Sequence, residues 1–261
     1  MTKLLTASVL VIGTACSAFA ADLRPPLKAA PPPAPVALAP SWTGCYVDGG
    51  GGYGLWNIDH FGEVSSTLAP ITTTTTSGGR GALGTVGGGC DYQFSPASGW
   101  ANWVVGLFGD YEFMDLHRTF QETLTSGNEK EKSAWAVGGR IGYLVTPNVF
   151  TYFNGGYSQT RFDQINFSNS ITGAPAAIIG SHNYHGWFVG GGTEISLAGF
   201  FGMPLPAGLF LRSEYRFATY NSANLAILSP AGVPLGISEN TKPYVQTITT
   251  ALVYRFNWWG H

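Results

Sequence analysis

From Trp42 to Phe256 the chain repeats one pattern, short segments in which bulky apolar residues alternate with glycine, small or charged ones. The run Trp103-Val104-Val105-Gly106-Leu107-Phe108-Gly109-Asp110-Tyr111-Glu112-Phe113 is its clearest instance. The period is two, which is what a strand imposes on its two faces. A soluble sheet also has one greasy and one wet face, so the alternation alone is ambiguous. Repeated about eight times behind an export signal, it predicts a barrel lying in an outer membrane.

The export signal occupies residues 1–20. Lys3 is the basic head, residues 4–13 the apolar core, and Ala18-Phe19-Ala20 the small-x-small site that directs cleavage between Ala20 and Ala21. Cys16 offers a rival reading as a lipid acceptor, but Gly13 stands three places before it, where an aliphatic residue is expected. Cleavage removes Lys3 and leaves 12 basic residues against 15 acids, a mature net charge of −3. Such a balance points to no nucleic-acid partner. Charged residues make up 11% of the chain and glycine numbers 36, which is sparse charge for a soluble domain. Beyond the signal no apolar run can cross a bilayer as a helix. The nearest, residues 195–211, is broken by Gly199, Gly202, Pro204, Pro206 and Gly208. Periplasm, secretion and barrel insertion remain as destinations.

Residues 21–40 hold seven of the sixteen prolines, favour extended polyproline II and read as a periplasmic linker. Strands are expected over 41–55, 79–94, 100–113, 133–146, 148–162, 184–201, 208–221 and 244–256, and a short tail over 257–261. Between them long connections (56–78, 114–132, 163–183, 222–243) alternate with tight ones at Ser95–Gly99, Pro147 and Gly202–Ala207. Long loops at one rim and turns at the other are the asymmetry of an outer-membrane barrel.

Parity assigns the faces. Val105, Leu107, Ile141, Leu211, Ile248 and Leu252 share one face, while Asp110, Glu112, Arg140, Arg212, Glu214 and Arg216 take the other. Slipping the register by one residue would put Arg140 and Arg212 into lipid, at about 2–4 kcal/mol each near the bilayer centre. The apolar face therefore looks outward. Aromatics near strand ends (Trp42, Tyr53, Trp100, Trp135, Trp187, Tyr220, Tyr244) are expected to form interfacial girdles.

Several segments resemble a known family. Ser41-Trp42-Thr43-Gly44-Cys45-Tyr46-Val47, Gly87-Gly88-Gly89-Cys90-Asp91-Tyr92-Gln93-Phe94, Val105-Gly106-Leu107-Phe108-Gly109-Asp110-Tyr111, Arg140-Ile141-Gly142-Tyr143, Leu211-Arg212-Ser213-Glu214-Tyr215 and Leu252-Val253-Tyr254-Arg255-Phe256 are similar to the small outer-membrane immunogenic, opacity-type porin-like β-barrel proteins of Gram-negative bacteria. The resemblance implies an all-β, eight-stranded antiparallel up-and-down transmembrane barrel with periplasmic termini and exposed long loops. It also implies recognition of Tyr254 and Phe256 by the barrel-insertion machinery. Two departures stand out: Phe108 sits where the family often has an acid, and five residues follow Phe256.

Asp48, Asp110, Glu112, Arg140, Glu194, Arg212, Glu214, Arg216 and Arg255 all point inward. In a barrel just wide enough for its own side chains they are expected to form an ion network that fills the lumen. The other reading is a narrow ion or solute path. Cys45 and Cys90 fall on neighbouring strands near the periplasmic end, both outward, so an exported chain offers either a cross-strand disulfide or two free thiols. His182 and His185 head a loop and match no complete metal or hydrolase set. Gly49-x-Gly51-x-x-Gly54 mimics a dinucleotide fingerprint, but no helix follows it. Thr72–Thr76 and Glu129-Lys130-Glu131-Lys132 read as solvated loop apices. No catalytic role, metal or cofactor is expected. The expected contacts are outer-membrane lipid and lipopolysaccharide, with a host or surface ligand at the loops as an alternative.

Overall fold

The structure is a computed structural model that describes residues 41–94, 102–121, 125–198, 205–206 and 208–256. The signal with its Ala20–Ala21 cleavage site, the proline-rich linker, the 95–99 turn, Trp100, most of the 202–207 turn and the 257–261 tail lie outside the described residues.

Eleven strands are described: β1 (Gly44–Val64), β2 (Thr75–Phe94), β3 (Trp103–Gln121), β4 (Thr125–Thr146), β5 (Val149–Phe162), β6 (Ile165–Asn169), β7 (Pro175–Ile179), β8 (His182–Ser196), β9 (Leu209–Tyr220), β10 (Ala223–Leu228) and β11 (Pro234–Phe256). Eight of them close a ring in the order β1-β2-β3-β4-β5-β8-β9-β11, with β11 pairing back onto β1. Every pairing in the ring is antiparallel. Closure satisfies each strand's backbone groups from its neighbours, the condition for a sheet that faces hydrocarbon.

The outer face carries the apolar half of the alternation, with Leu107 73%, Phe153 77% and Ile248 61% exposed. Exposed Tyr53, Tyr111, Trp135, Tyr157 and Trp187 ring one end of this band, and Tyr92, Phe94, Tyr143 and Tyr254 the other. Two expected girdle residues are lumenal instead. Trp42 is fully buried beneath the Arg255 guanidinium, 4.9 Å from its ring. Tyr220 is buried with its hydroxyl 3.0 Å from that of Ser158.

The expected long loops prove to be largely strand. β1 runs nine residues past 55 to Val64, and β4 begins at Thr125 rather than 133. Past the Tyr111–Trp135 girdle β5, β8 and β9 end, and β6, β7 and β10 continue the wall by the pairings β4–β6, β6–β7, β7–β10 and β10–β11. The barrel thus rises beyond the lipid band as a cup walled by β1, β2, β3, β4, β6, β7, β10 and β11. Glu129 and Glu131, expected at a solvated apex, are buried in that wall at 9% and 0% exposure.

Candidate functional site: a plugged lumen beneath an open cup

The lumen is layered. At the end of the barrel where β1 begins and β11 finishes, Trp42, Val104, Phe150, Phe210 and Val253 form an aromatic and aliphatic plug. The Trp42 ring lies 4.8 Å from that of Phe210 and 5.3 Å from that of Phe150, and its Nε1 donates to the Pro147 carbonyl at 3.0 Å.

Above this plug four arginines meet five carboxylates. Glu194 accepts from Arg140 Nη1 at 3.3 Å, from Arg212 Nε at 3.1 Å, and from Arg255 Nε and Nη2 at 2.9 and 2.6 Å. Asp91 takes a bidentate pair from Arg140 at 2.9 and 2.5 Å and a third bond from Arg255 Nη1 at 2.7 Å. Arg212 Nη1 also reaches Asp48 at 3.0 Å. One layer higher, Arg216 grips Asp110 through Nη1 and Nη2 at 3.0 and 2.8 Å and donates to Glu214 at 2.8 Å; Glu214 also accepts from the Tyr152 hydroxyl at 2.6 Å. Tyr46 backs the guanidinium groups of Arg140 and Arg212 at 4.6 and 4.7 Å, and Phe188 backs that of Arg216 at 4.4 Å. Charges held this far from water must be paired and hydrogen-bonded, and aromatic faces supply what the carboxylates do not.

Eight of the nine charges expected in the network are joined in it. Glu112 is buried within reach of the Arg216 charge, but makes no ion pair among the described residues. Asp91 is the member the sequence reading missed, although parity beside outward Cys90 aims it inward. The Asp91 carboxylate occupies the space that a side chain at Gly106 would fill: a Cβ there would collide with Oδ1. Phe108, where an acid was expected by resemblance, stacks edge-on to Phe188 at 6.0 Å and lies under Arg216 at 5.7 Å.

Cavities within the network measure about 20 Å³ and about 10 Å³. Each is room for a single water. A second apolar layer, with Trp56, Leu83, Met114, Leu116, Phe162, Tyr184 and Tyr220, covers the network from above. The Trp56 indole donates to the Leu116 carbonyl at 3.2 Å and lies against Gly79, where a Cβ would meet the ring.

Above that layer the cup opens into a cavity of about 510 Å³. Its wall has two characters. Ile165, Ile179, Leu225 and Ile227, from β6, β7 and β10, make an aliphatic side. Thr72, Thr75, Ser77, Arg118, Glu129 and Glu239 make a polar one. His60 Nδ1 lies 2.6 Å from the Glu239 carboxylate, and the Ser77 hydroxyl donates to Glu129 at 3.2 Å. Burial pushes the Glu129 carboxyl up to about 7.

His182 faces this cavity, whereas His185 lies on the outer face of β8, 2.5 Å from the Tyr157 hydroxyl. The two cannot share one ligand. Gly49, Gly51 and Gly54 lie inside β1, where no phosphate-binding turn exists. At the start of β1 Cys45 and Cys90 are register partners joined by a disulfide. Tyr254 and Phe256 face outward on the last strand at 50% and 36% exposure.

A closed antiparallel ring with an apolar exterior and a charged interior defines an integral barrel, multi-pass through strands, of a Gram-negative outer membrane. The chain belongs to the outer membrane protein β-barrel domain family, which matches residues 8–256. Among solved structures it is similar to OprG of Pseudomonas aeruginosa, at 11% identity over 84% of this chain and 100% of that one, with a TM-score of 0.49. It is also similar to the attachment invasion locus protein Ail of Yersinia pestis (12% identity, 79% and 99% covered, TM-score 0.33) and to neisserial surface protein A (11%, 82% and 98%, 0.35). These are distant likenesses of fold. No curated protein matches the chain.

Proposed function

We propose that this chain is a non-conducting, non-enzymatic barrel of the immunogenic, opacity type, which reinforces the envelope and displays its outer rim at the cell surface. The observation that carries the reading is the filling of the lumen. Two apolar layers flank an arginine–carboxylate network whose described cavities are about 20 and about 10 Å³. A hydrated ion needs a continuous path, and single-water spaces between fixed guanidinium groups offer none. Asp48, Asp91, Asp110, Glu194 and Glu214 act as braces that tie strands across the barrel, not as a selectivity filter. The partners in this reading are outer-membrane lipid and lipopolysaccharide around the band, and the insertion machinery at Tyr254 and Phe256.

Planar-bilayer recording on the purified, folded protein tests the reading. The expected result is a silent bilayer in molar salt. Stepwise conductance that Asp110→Asn or Arg140→Gln alters would replace this reading with that of a narrow pore. Display at the surface has its own support at the rim, where Leu68, Ile171 and Val233 are 55%, 79% and 60% exposed. Deleting residues 65–72 or 229–233 is expected to remove surface reactivity without preventing insertion.

A further inference from the structure

The cup has no part in the closed lumen below it, so its shape calls for a separate account. A rim that only displayed loops could collapse onto itself. Here β6, β7 and β10 hold the wall apart around about 510 Å³, a volume typical of sites for drug-sized molecules. At the base Ile58, Phe162 and Tyr184 line the cavity, and Phe162 packs edge to face on the buried Trp56 ring at 5.6 Å, closing the floor. A molecule entering from outside therefore stops there.

The wall also specifies chemistry. Its aliphatic side matches an apolar body. On the polar side Glu129 is only 9% exposed, and Ser77 is its one hydrogen-bond donor among the described residues. Arg118, the partner of Glu129 in the β3–β4 register, and His60, 2.6 Å from Glu239, act on the Glu129 charge from the same wall, while the hydrogen bond comes from Ser77. A desolvated carboxylate that faces a cavity is best completed by a donor that carries positive charge. An anion would have to lie beside Glu129, Glu239 and Asp163, the three carboxylates of a lining whose other charged or titratable groups are Arg118, His60, His182 and Tyr184.

We propose that the cup is a binding site for a small amphipathic amine, whose apolar body lies against Ile165, Ile179, Leu225 and Ile227 and whose ammonium group donates to the Glu129 carboxylate. This goes beyond the proposed envelope role and does not require the lumen to be closed, because the site ends at the Trp56–Phe162 floor.

Calorimetry on the full chain in phosphatidylcholine nanodiscs tests it with three matched probes, tryptamine, tryptophol and indole-3-propionate, against empty nanodiscs as the reference. Tryptamine is expected to bind at least about tenfold tighter than tryptophol, the size of one charge-assisted hydrogen bond, and indole-3-propionate weaker than either. Glu129→Gln should bring tryptamine down to the affinity of tryptophol. Leu225→Trp, which fills the apolar side, should weaken both. Each variant's compact migration on an unboiled gel confirms that it is folded. Equal binding of amine and alcohol, preference for the acid, no saturable binding at millimolar probe, or binding indifferent to both substitutions would each overturn the proposal.

Discussion

Glu131 illustrates at the scale of one residue what the outer barrel wall tolerates. It is fully buried, with one carboxyl oxygen accepting from the Thr160 hydroxyl at 2.6 Å and the other without a partner among the described residues. Burial pushes its carboxyl up to about 8 from an ordinary 4.5, and the Glu112 charge adds to the rise. Its level, beyond the Trp135 girdle, is outside the lipid band. A raised carboxyl binds its proton more tightly in the folded state than in the unfolded one. The contribution is therefore fully present below pH 4.5 and is lost as the pH rises through 8. Urea unfolding from liposomes should accordingly show stability falling across that window by on the order of a few kcal/mol. Glu131→Gln should remove the last part of the fall, between about pH 7 and 8, and leave the part that Glu129 contributes below it. A variant that keeps the full slope would place the titration elsewhere. Single residues were also where the sequence misled. Trp42 and Tyr220 sit at strand ends like girdle aromatics, but each has the parity of the lumen, opposite to that of Cys45 and Phe217. Aromatic rings are as useful beneath a guanidinium as at a lipid headgroup, and residue type alone does not separate the two uses. Asp91 was legible by parity, yet a glycine-rich strand gives few bulky markers from which to count.

At the scale of elements, alternation located all eight ring strands and bounded β5 and β9 to within a residue, but it missed the outer ends of β1, β3, β4 and β11. It ends in the sequence where lipid ends, because beyond the girdle both faces of a strand meet water or polar side chains. Thr125 to Lys132 has no apolar stripe, and its pairing with β3 and β6 is set by partners distant in the chain. The nonlocal ladder overrides a weak local preference. The short strands β6, β7 and β10 do carry apolar residues, Ile165, Ile179, Leu225 and Ile227 among them, but five or six residues are too few for alternation to mark them off from a loop. One covalent feature ties elements together at the other rim, the Cys45–Cys90 disulfide between β1 and β2, which closes a loop over a separation of 45 residues. In the chain-entropy picture its removal costs up to about 4 kcal/mol, less whatever order the reduced chain keeps. The double variant Cys45→Ser, Cys90→Ser should still insert, since the ladder on both sides of the bridge is intact. It should unfold at lower urea, in the same range as the wild type under reductant. Identical midpoints with and without reductant would mean the bridge does not form.

The whole molecule depends on which medium touches the outside of the ring. An apolar exterior and a charged interior invert the arrangement of a soluble barrel, and the closed hydrogen-bonded ladder is what makes the inversion affordable in hydrocarbon. Arg140, held by Asp91 and Glu194 at 3% exposure, would be one of the costliest groups to turn outward. Phe153 and Leu107, 77% and 73% exposed, would in turn be among the costliest to leave in water. The two demands fix a single parity all the way round. Photoactivated labelling from carbene-bearing phospholipids, read by peptide mass spectrometry, tests that parity directly. Insertion is expected at Leu107, Ile141, Phe153 and Ile248, with Arg140, Glu214 and Trp42 spared. Modified lumenal peptides beside unmodified outward ones would mean that the strands face the other way, and with them the network, its two plugs and the sealed floor of the cup would lose their basis.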